Sequence, residues 1–95
     1  MRVTNLYNSK KLVISMEFSP PRNEKAKEMF GPLVDNLSKL NPDYVSVTFG
    51  AGGSTRDGSY ETVKHIMVDK NLPTVAYIAG YGLSPDEITG VLDNY

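Results

Sequence analysis

Short apolar runs alternate with longer amphipathic stretches along this chain, the pattern of βαβ units built on a parallel sheet. The first strand reads Val13-Ile14-Ser15-Met16-Glu17-Phe18. Ser19-Pro20-Pro21 ends it, because proline cannot donate to a sheet ladder. A helix is expected from about Asn23 to Leu40, with Ala26, Met29, Phe30, Leu33, Leu37 and Leu40 recurring at helical spacing. Gly31-Pro32 lies inside it and should kink or split it. Asn41-Pro42-Asp43 closes it. The second strand, Tyr44 to Phe49, runs into a glycine loop, Gly50 to Ser54. A second helix covers about Ser59 to Asp69, with Tyr60, Val63, Ile66 and Met67 as its buried stripe, and Asn71-Leu72-Pro73 breaks it. The third strand is Thr74 to Ile78. The last helix starts at Ser84-Pro85-Asp86-Glu87, where Ser84 caps, Pro85 takes the first helical position and Glu87 closes a capping box. Ile88, Val91, Leu92 and Tyr95 form its apolar face.

The order is therefore βαβαβα, with right-handed crossovers as the near-universal geometry. Two α/β architectures use it, an open doubly wound sheet and a closed eight-stranded barrel. No linker, repeat or low-complexity segment interrupts the chain, and its 95 residues are expected to form a single domain over residues 1–95.

Side chains alternate across a strand, so each strand here has one apolar face suited to covering by helices. Ile14, Met16 and Phe18 form that face on the first strand, Val45, Val47 and Phe49 on the second, and Ala76 with Ile78, opposed to Val75 and Tyr77, on the third. The opposite faces carry Ser15 and Glu17, then Tyr44, Ser46 and Thr48. Glu17, Thr48 and Tyr77 stand near the C-terminal strand ends, where a barrel builds its active-site mouth. A carboxylate in an apolar strand is costly unless paired or functional. Glu17 is thus either a general acid in a pocket or a carboxylate turned to solvent by a shifted register. Thr48 suits a site and a packed strand equally well, and Tyr77 suits a rim or core aromatic as well as a site.

Composition narrows the field. Hydrophobic residues make up 40% and charged residues 22%, and the net charge of -1 leaves no basic surplus for a phosphate backbone, which sets nucleic acid aside. The mean hydropathy of -0.30 is that of a soluble chain. No apolar run approaches the roughly 20 residues of a membrane span, and Met1 to Asn8 lack the apolar stretch of a secretory signal. Without cysteine there is neither a disulfide framework nor a thiolate site, and one histidine argues against zinc. A cytoplasmic location is the expectation. The loop Gly50-Ala51-Gly52-Gly53-Ser54-Thr55 lacks the third glycine of a dinucleotide fingerprint and the Lys-Ser/Thr pair of a P-loop. A turn into the next helix and a direct cofactor contact both remain open for it. His65 falls off the buried stripe and reads as a solvated surface residue. Arg22, Glu24, Lys25, Lys27 and Glu28 read as the wet face of the first long helix.

At these residues the chain resembles a known family. Ser15-Met16-Glu17-Phe18-Ser19-Pro20-Pro21-Arg22 is similar to the first-strand motif of methylenetetrahydrofolate reductases. The segment from Asn41 to Arg56, with Val45-Ser46-Val47-Thr48-Phe49-Gly50 at its centre, is similar to their second-strand segment. Glu61 to Ile66, Leu72 to Ala76, Asp86-Glu87-Ile88 and Leu92 to Tyr95 continue the likeness in order. The resemblance implies the N-terminal three βα units of a (β/α)₈ barrel that binds FAD at the C-terminal ends of its strands. It implies that NAD(P)H reduces the flavin and that the flavin reduces 5,10-methylenetetrahydrofolate to 5-methyltetrahydrofolate. By the same resemblance Glu17 matches the general acid toward the folate, and Thr48 a flavin-contacting threonine. Phe49, Tyr77 and Ala79 fall at cofactor-binding positions. The third strand departs from the family, whose usual His and following Leu-Thr-Cys are replaced by Tyr77-Ile78-Ala79-Gly80.

A complete barrel needs on the order of 250 residues, so the chain is expected to be a fragment that is inactive alone. Its two open sheet edges should favour self-association, giving a homo-oligomer. The alternative is a small non-catalytic α/β module that self-associates through those edges.

Overall fold

The computed structural model describes residues 2–9, 12–49 and 56–95. The loop Gly50 to Ser54 lies outside the described residues. Three parallel strands, β1 (Ser15–Phe18), β2 (Tyr44–Val47) and β3 (Thr74–Ala76), form one sheet in the order β1-β2-β3. Glu17 stands opposite Ser46, which stands opposite Val75. The strands are shorter than the sequence pattern suggests, yet pairing continues past their ends. Thr48 N donates to Phe18 O at 3.0 Å and Tyr77 N to Val47 O at 3.3 Å. The entry of β1 is fixed from the side of β2, where Asp43 N donates to Ile14 O at 2.7 Å and Asp43 Oδ2 accepts from Ile14 N at 2.9 Å.

The first element is a short helix that the hydrophobic pattern does not announce, α1 (Val3–Ser9). Seven residues are too few for a helix to hold on propensity alone. It is tied to the sheet by the Tyr7 hydroxyl, 3.2 Å from the hydroxyl of Tyr44.

Helix α2 (Glu24–Ser38) is capped by Asn23, whose Oδ1 accepts from Ala26 N at 2.8 Å. No split occurs at Gly31-Pro32, and the helix runs through Pro32 as one element. Pro32 and Glu28, whose carbonyl loses its partner, are both exposed, so water can take up the missing bond. The buried stripe of α2 is Phe30 and Val34, with Leu37 packed against the core. Met29 (61% exposed), Leu33 (47%) and Leu40 (62%) were expected on that stripe but flank it, on a helix face that no described element covers.

Helix α3 (Arg56–Lys64) passes into a π-helical stretch from His65 to Asp69. The wider turn rotates the following side chains. Val63 and Ile66 stay buried, while Met67, expected beside them, is exposed. His65 is correspondingly half-buried rather than solvated, with Nδ1 2.9 Å from Asp69 Oδ2 and its ring centroid 6.2 Å from that of Phe30. Asn41 (φ 52°) and Asn71 (φ 55°) follow the two long helices in the left-handed conformation that asparagine tolerates better than most residues. Lys70 Nζ, 2.9 Å from Asp35 Oδ1, ties the end of α3 to α2.

Helix α4 (Pro85–Asn94) has the expected capping box. Glu87 N donates to Ser84 Oγ and Ser84 N to Glu87 Oε1, both at 3.2 Å. Of its anticipated apolar face, Ile88 and Val91 are half-buried, while Leu92 and Tyr95 are exposed. The Tyr95 ring meets that of Tyr60 edge-on at 5.5 Å.

One core joins the sheet to α2 and α3: Phe18, Val45 and Val47 against Phe30, Val34, Val63 and Ile66, with Met16, Leu72 and Ala76 packed around them. Phe18 and Phe30 meet edge to face at 5.7 Å. Both helices therefore cover the same sheet face. A doubly wound sheet would cover its second face as well, after a reversal of strand order. Here that second face carries polar groups instead.

Candidate active site

The uncovered face presents every second residue of each strand, and its polar groups meet in pairs across β1 and β2. Nearest the strand N-termini, Tyr44 is hydrogen-bonded to Tyr7 and is also supported by Ser15. The bond with Tyr7 holds the Tyr44 hydroxyl below the ordinary tyrosine value, with a smaller contribution from Ser15. The same bond raises Tyr7, with burial and the neighbouring Tyr44 and Asp43 adding to it. In the middle, Ser46 Oγ donates to Glu17 Oε1 at 3.5 Å, the outer limit of such a bond. At the C-terminal ends, Thr48 Oγ1 donates to Ser19 Oγ at 3.4 Å.

Ser15, Glu17, Tyr44 and Ser46 border a cavity of about 500 Å³ whose lining is completed by Val3, Met16, Val75 and Tyr77. That volume lies within the range of small-molecule sites. Val3 brings α1 into its wall. Glu17 is exposed and aligned with Ser46, while Ser46 itself is 7% exposed. An accessible carboxylate beside a fixed hydroxyl can give or take a proton at a bound molecule.

The structure brings Glu17 and Tyr77 into one cavity, with Tyr77 about half exposed. Thr48 stands one pair further along the same face and is half-buried; it does not line that cavity. Its place is fixed from behind by Ser59, a 1% exposed residue of α3 whose Oγ donates to Thr48 O at 2.6 Å. Phe49 is only 4% exposed and shares the alternation of Val45 and Val47, so its side chain is not part of the polar face. Ala79 is half-buried beyond the end of β3.

Ser46, on the polar face of the second strand, and Ser59 and Val3 do not stand out as site residues in the sequence. Ser46 could have been found, since it shares the alternation of Thr48. Ser59 carried no signal beyond its place in the first turns of a helix, and Val3 belongs to a helix without an apolar period.

Comparison with known proteins identifies the family. The family described as methylenetetrahydrofolate reductase matches residues 2–95. The 5,10-methylenetetrahydrofolate reductase of Escherichia coli (strain K12) is 32% identical over 82 residues, 86% of this chain and 28% of that protein. The enzyme of the same name from Buchnera aphidicola subsp. Acyrthosiphon pisum is 31% identical over 94 residues, 99% of this chain and 32% of that protein. Methylenetetrahydrofolate reductase (NADH) 1 of Arabidopsis thaliana is 36% identical over 53 residues, 56% of this chain and 9% of that protein. The chain thus spans about 30% of the length of the bacterial relatives it matches. With parallel strands in sequential order, helices on one face and polar pairs on the other, the chain belongs to the methylenetetrahydrofolate reductase family and holds part of its (β/α)₈ barrel.

Proposed function

We propose that this chain supplies the first three βα units of a barrel that reduces 5,10-methylenetetrahydrofolate to 5-methyltetrahydrofolate, with FAD as the bound cofactor and NAD(P)H as electron donor. The observation that carries the reading is Glu17 on the uncovered face, exposed into a cavity it shares with Tyr77. The enzymes named in the comparisons support the substrate.

The residues present fit one flank of a flavin. The Thr48 hydroxyl engages Ser19 only at 3.4 Å and so retains bonding capacity, and the exposed Tyr77 ring offers a flat apolar surface. When bound, the flavin supplies the hydride chemistry. Thr48 and Tyr77 orient it at the strand ends, and Phe49 and Ala79 contribute through the backbone where the strands stop. Glu17 delivers a proton to the folate, which helps open its imidazolidine ring to the iminium that accepts hydride. Its reach follows from its place on a strand and not on a loop, since strand positions hold a side chain in register with its neighbours.

By itself the chain is inactive, because among the described residues β1 and β3 each pair on one side only, leaving the sheet short of a closed barrel. We place it in the cytoplasm; no helix among the described residues is long and apolar enough to cross a membrane.

The test is Glu17→Gln in the complete barrel. Folate reduction should fall by about 10²-fold or more, the usual contribution of a general acid, while reduction of the flavin by NAD(P)H stays within about twofold. Equal loss of both half-reactions would remove Glu17 from the acid role. For the isolated chain, sustained NAD(P)H oxidation with added FAD would refute the inactivity. A second reading, a non-catalytic module that pairs with itself, is favoured by the exposed Met29 and Leu33, which line a recess with Glu17 and Phe18 of β1. A colourless, oligomeric preparation without FAD affinity, together with a complete barrel that reduces no folate, would support it.

A further inference from the structure

Glu17 has a neighbour that no motif announces. Ser46 lies on β2, the central strand, held by β1 on one side and β3 on the other, and it is nearly buried. Its register partners are Glu17 and Val75. Valine offers no acceptor, so a hydroxyl at this position finds its acceptor across β1, and Ser46 Oγ does donate to Glu17 Oε1. A buried hydroxyl left without an acceptor is costly, which gives the contact a direction. The rigid, buried partner is Ser46. The exposed partner with several free torsions is Glu17.

We infer that Ser46 is a positioning residue for Glu17. Its hydroxyl selects the rotamer that keeps the carboxylate over the cavity and disfavours those that swing it away. The inference rests on the reading of Glu17 as the acid, because an acid must stand within hydrogen-bond reach of the atom it protonates. A glutamate free to sample every staggered well would spend part of its time out of reach. Hydrogen bonding to the carboxylate, and not packing volume, does the selecting, so threonine can replace serine while alanine cannot.

The test is nuclear magnetic resonance of the chain with its glutamates isotopically labelled, reading the side-chain scalar couplings that report the Glu17 rotamer. Wild type should show a single-rotamer pattern at Glu17. Ser46→Ala should lose it and give an averaged pattern, and Ser46→Thr should keep it. A merely structural role for Ser46 would change the unfolding midpoint and leave the Glu17 couplings as they are; that result overturns the inference. So would averaged couplings in wild type, or a Ser46→Thr chain that behaves like Ser46→Ala. If Ser46→Ala does not fold, Ser46→Cys, with similar volume and a weaker donor, gives the same comparison. The couplings stand apart from catalysis. A fixed Glu17 in a protein whose Glu17→Gln variant still reduces folate would overturn the acid role and keep the Ser46–Glu17 bond. An averaged Glu17 with a strong Glu17→Gln defect would do the reverse.

Discussion

Replacing Ser59 by alanine removes the bond that fixes the end of β2 from behind. The hydroxyl is 1% exposed and lies 2.6 Å from the Thr48 carbonyl, a short and well-buried contact. A hydrogen bond of this kind contributes about 0.5–1.5 kcal/mol net, and a carbonyl left buried without its donor costs about 1–3 kcal/mol. Thr48 is half-buried, so water reaches part of that carbonyl and the lower half of the range applies. The exchange of hydroxyl for hydrogen leaves almost no cavity, so no packing cost adds to it, and alanine in a helix gains a few tenths of a kcal/mol over serine. The expected destabilisation is about 1–2 kcal/mol, read as a lower urea midpoint at unchanged slope. The local consequence is sharper. Thr48 should lose its fixed place beside Ser19, and its amide, bonded to Phe18 O at 3.0 Å, should exchange faster with solvent. Ser59→Thr keeps the donor and should retain most of the stability. An unchanged urea midpoint for Ser59→Ala, or Thr48 amide protection equal to wild type, would show that Ser59 does not hold the strand end.

Two further outcomes test the frame around the site. Ile66 is fully buried between sheet and helices, and Ile66→Ala should cost about 2–5 kcal/mol, a large fraction of the stability of a small domain; an unfolding midpoint close to wild type would mean that the π-helical stretch does not anchor α3. Tyr95 is exposed over part of its surface only, and the partial burial of its ring against Tyr60 raises its pKa, with a smaller contribution from the Tyr60 charge. The unfolded chain therefore loses this proton first, and stability should fall as pH rises past the ordinary value of 10.0 and through the raised folded one. Thermal unfolding across that alkaline range should show a shallower decline for Tyr95→Phe, and an identical slope would exclude Tyr95 as a source of it.

The period-two alternation of Val45, Val47 and Phe49 against Tyr44, Ser46 and Thr48 was legible because the strand is central and one face is fully buried. Ser84 to Glu87 was legible because a capping box is settled by four consecutive residues. The path of α2 was not. Proline is expected to kink or split the helix, yet no split occurs and the cost falls on an exposed carbonyl, a fact of tertiary position that no local pattern carries. The outward turn of Met67 and the half-burial of His65 come from one wide helical turn, and a 3.6-residue period cannot anticipate it. Met29, Leu33 and Leu40 matched the helical period yet stay exposed, because periodicity marks an apolar face without naming what covers it. Helix α1 escaped for the opposite reason. It is held by Tyr7 against Tyr44 and not by an apolar stripe.

The polar face is what supports the proposed reading of this sheet as one wall of a ligand site. Parallel strands covered on both sides read as nearly continuous apolar runs, because each face is packed on helices. On β1 and β2 the uncovered face instead sets Ser15 beside Tyr44, Glu17 beside Ser46 and Ser19 beside Thr48, three polar pairs in succession. In a dry core each pair would carry a desolvation cost that one long hydrogen bond cannot offset. The pairs are tolerable where one member keeps access to water or to a bound polar molecule, and Glu17 and Ser19 do, being exposed, while Ser46 and Thr48 are held back on the central strand. Each pair thus combines a fixed hydroxyl on β2 with an accessible group on β1. A general acid needs both properties, reach toward its substrate and a partner that limits where it points.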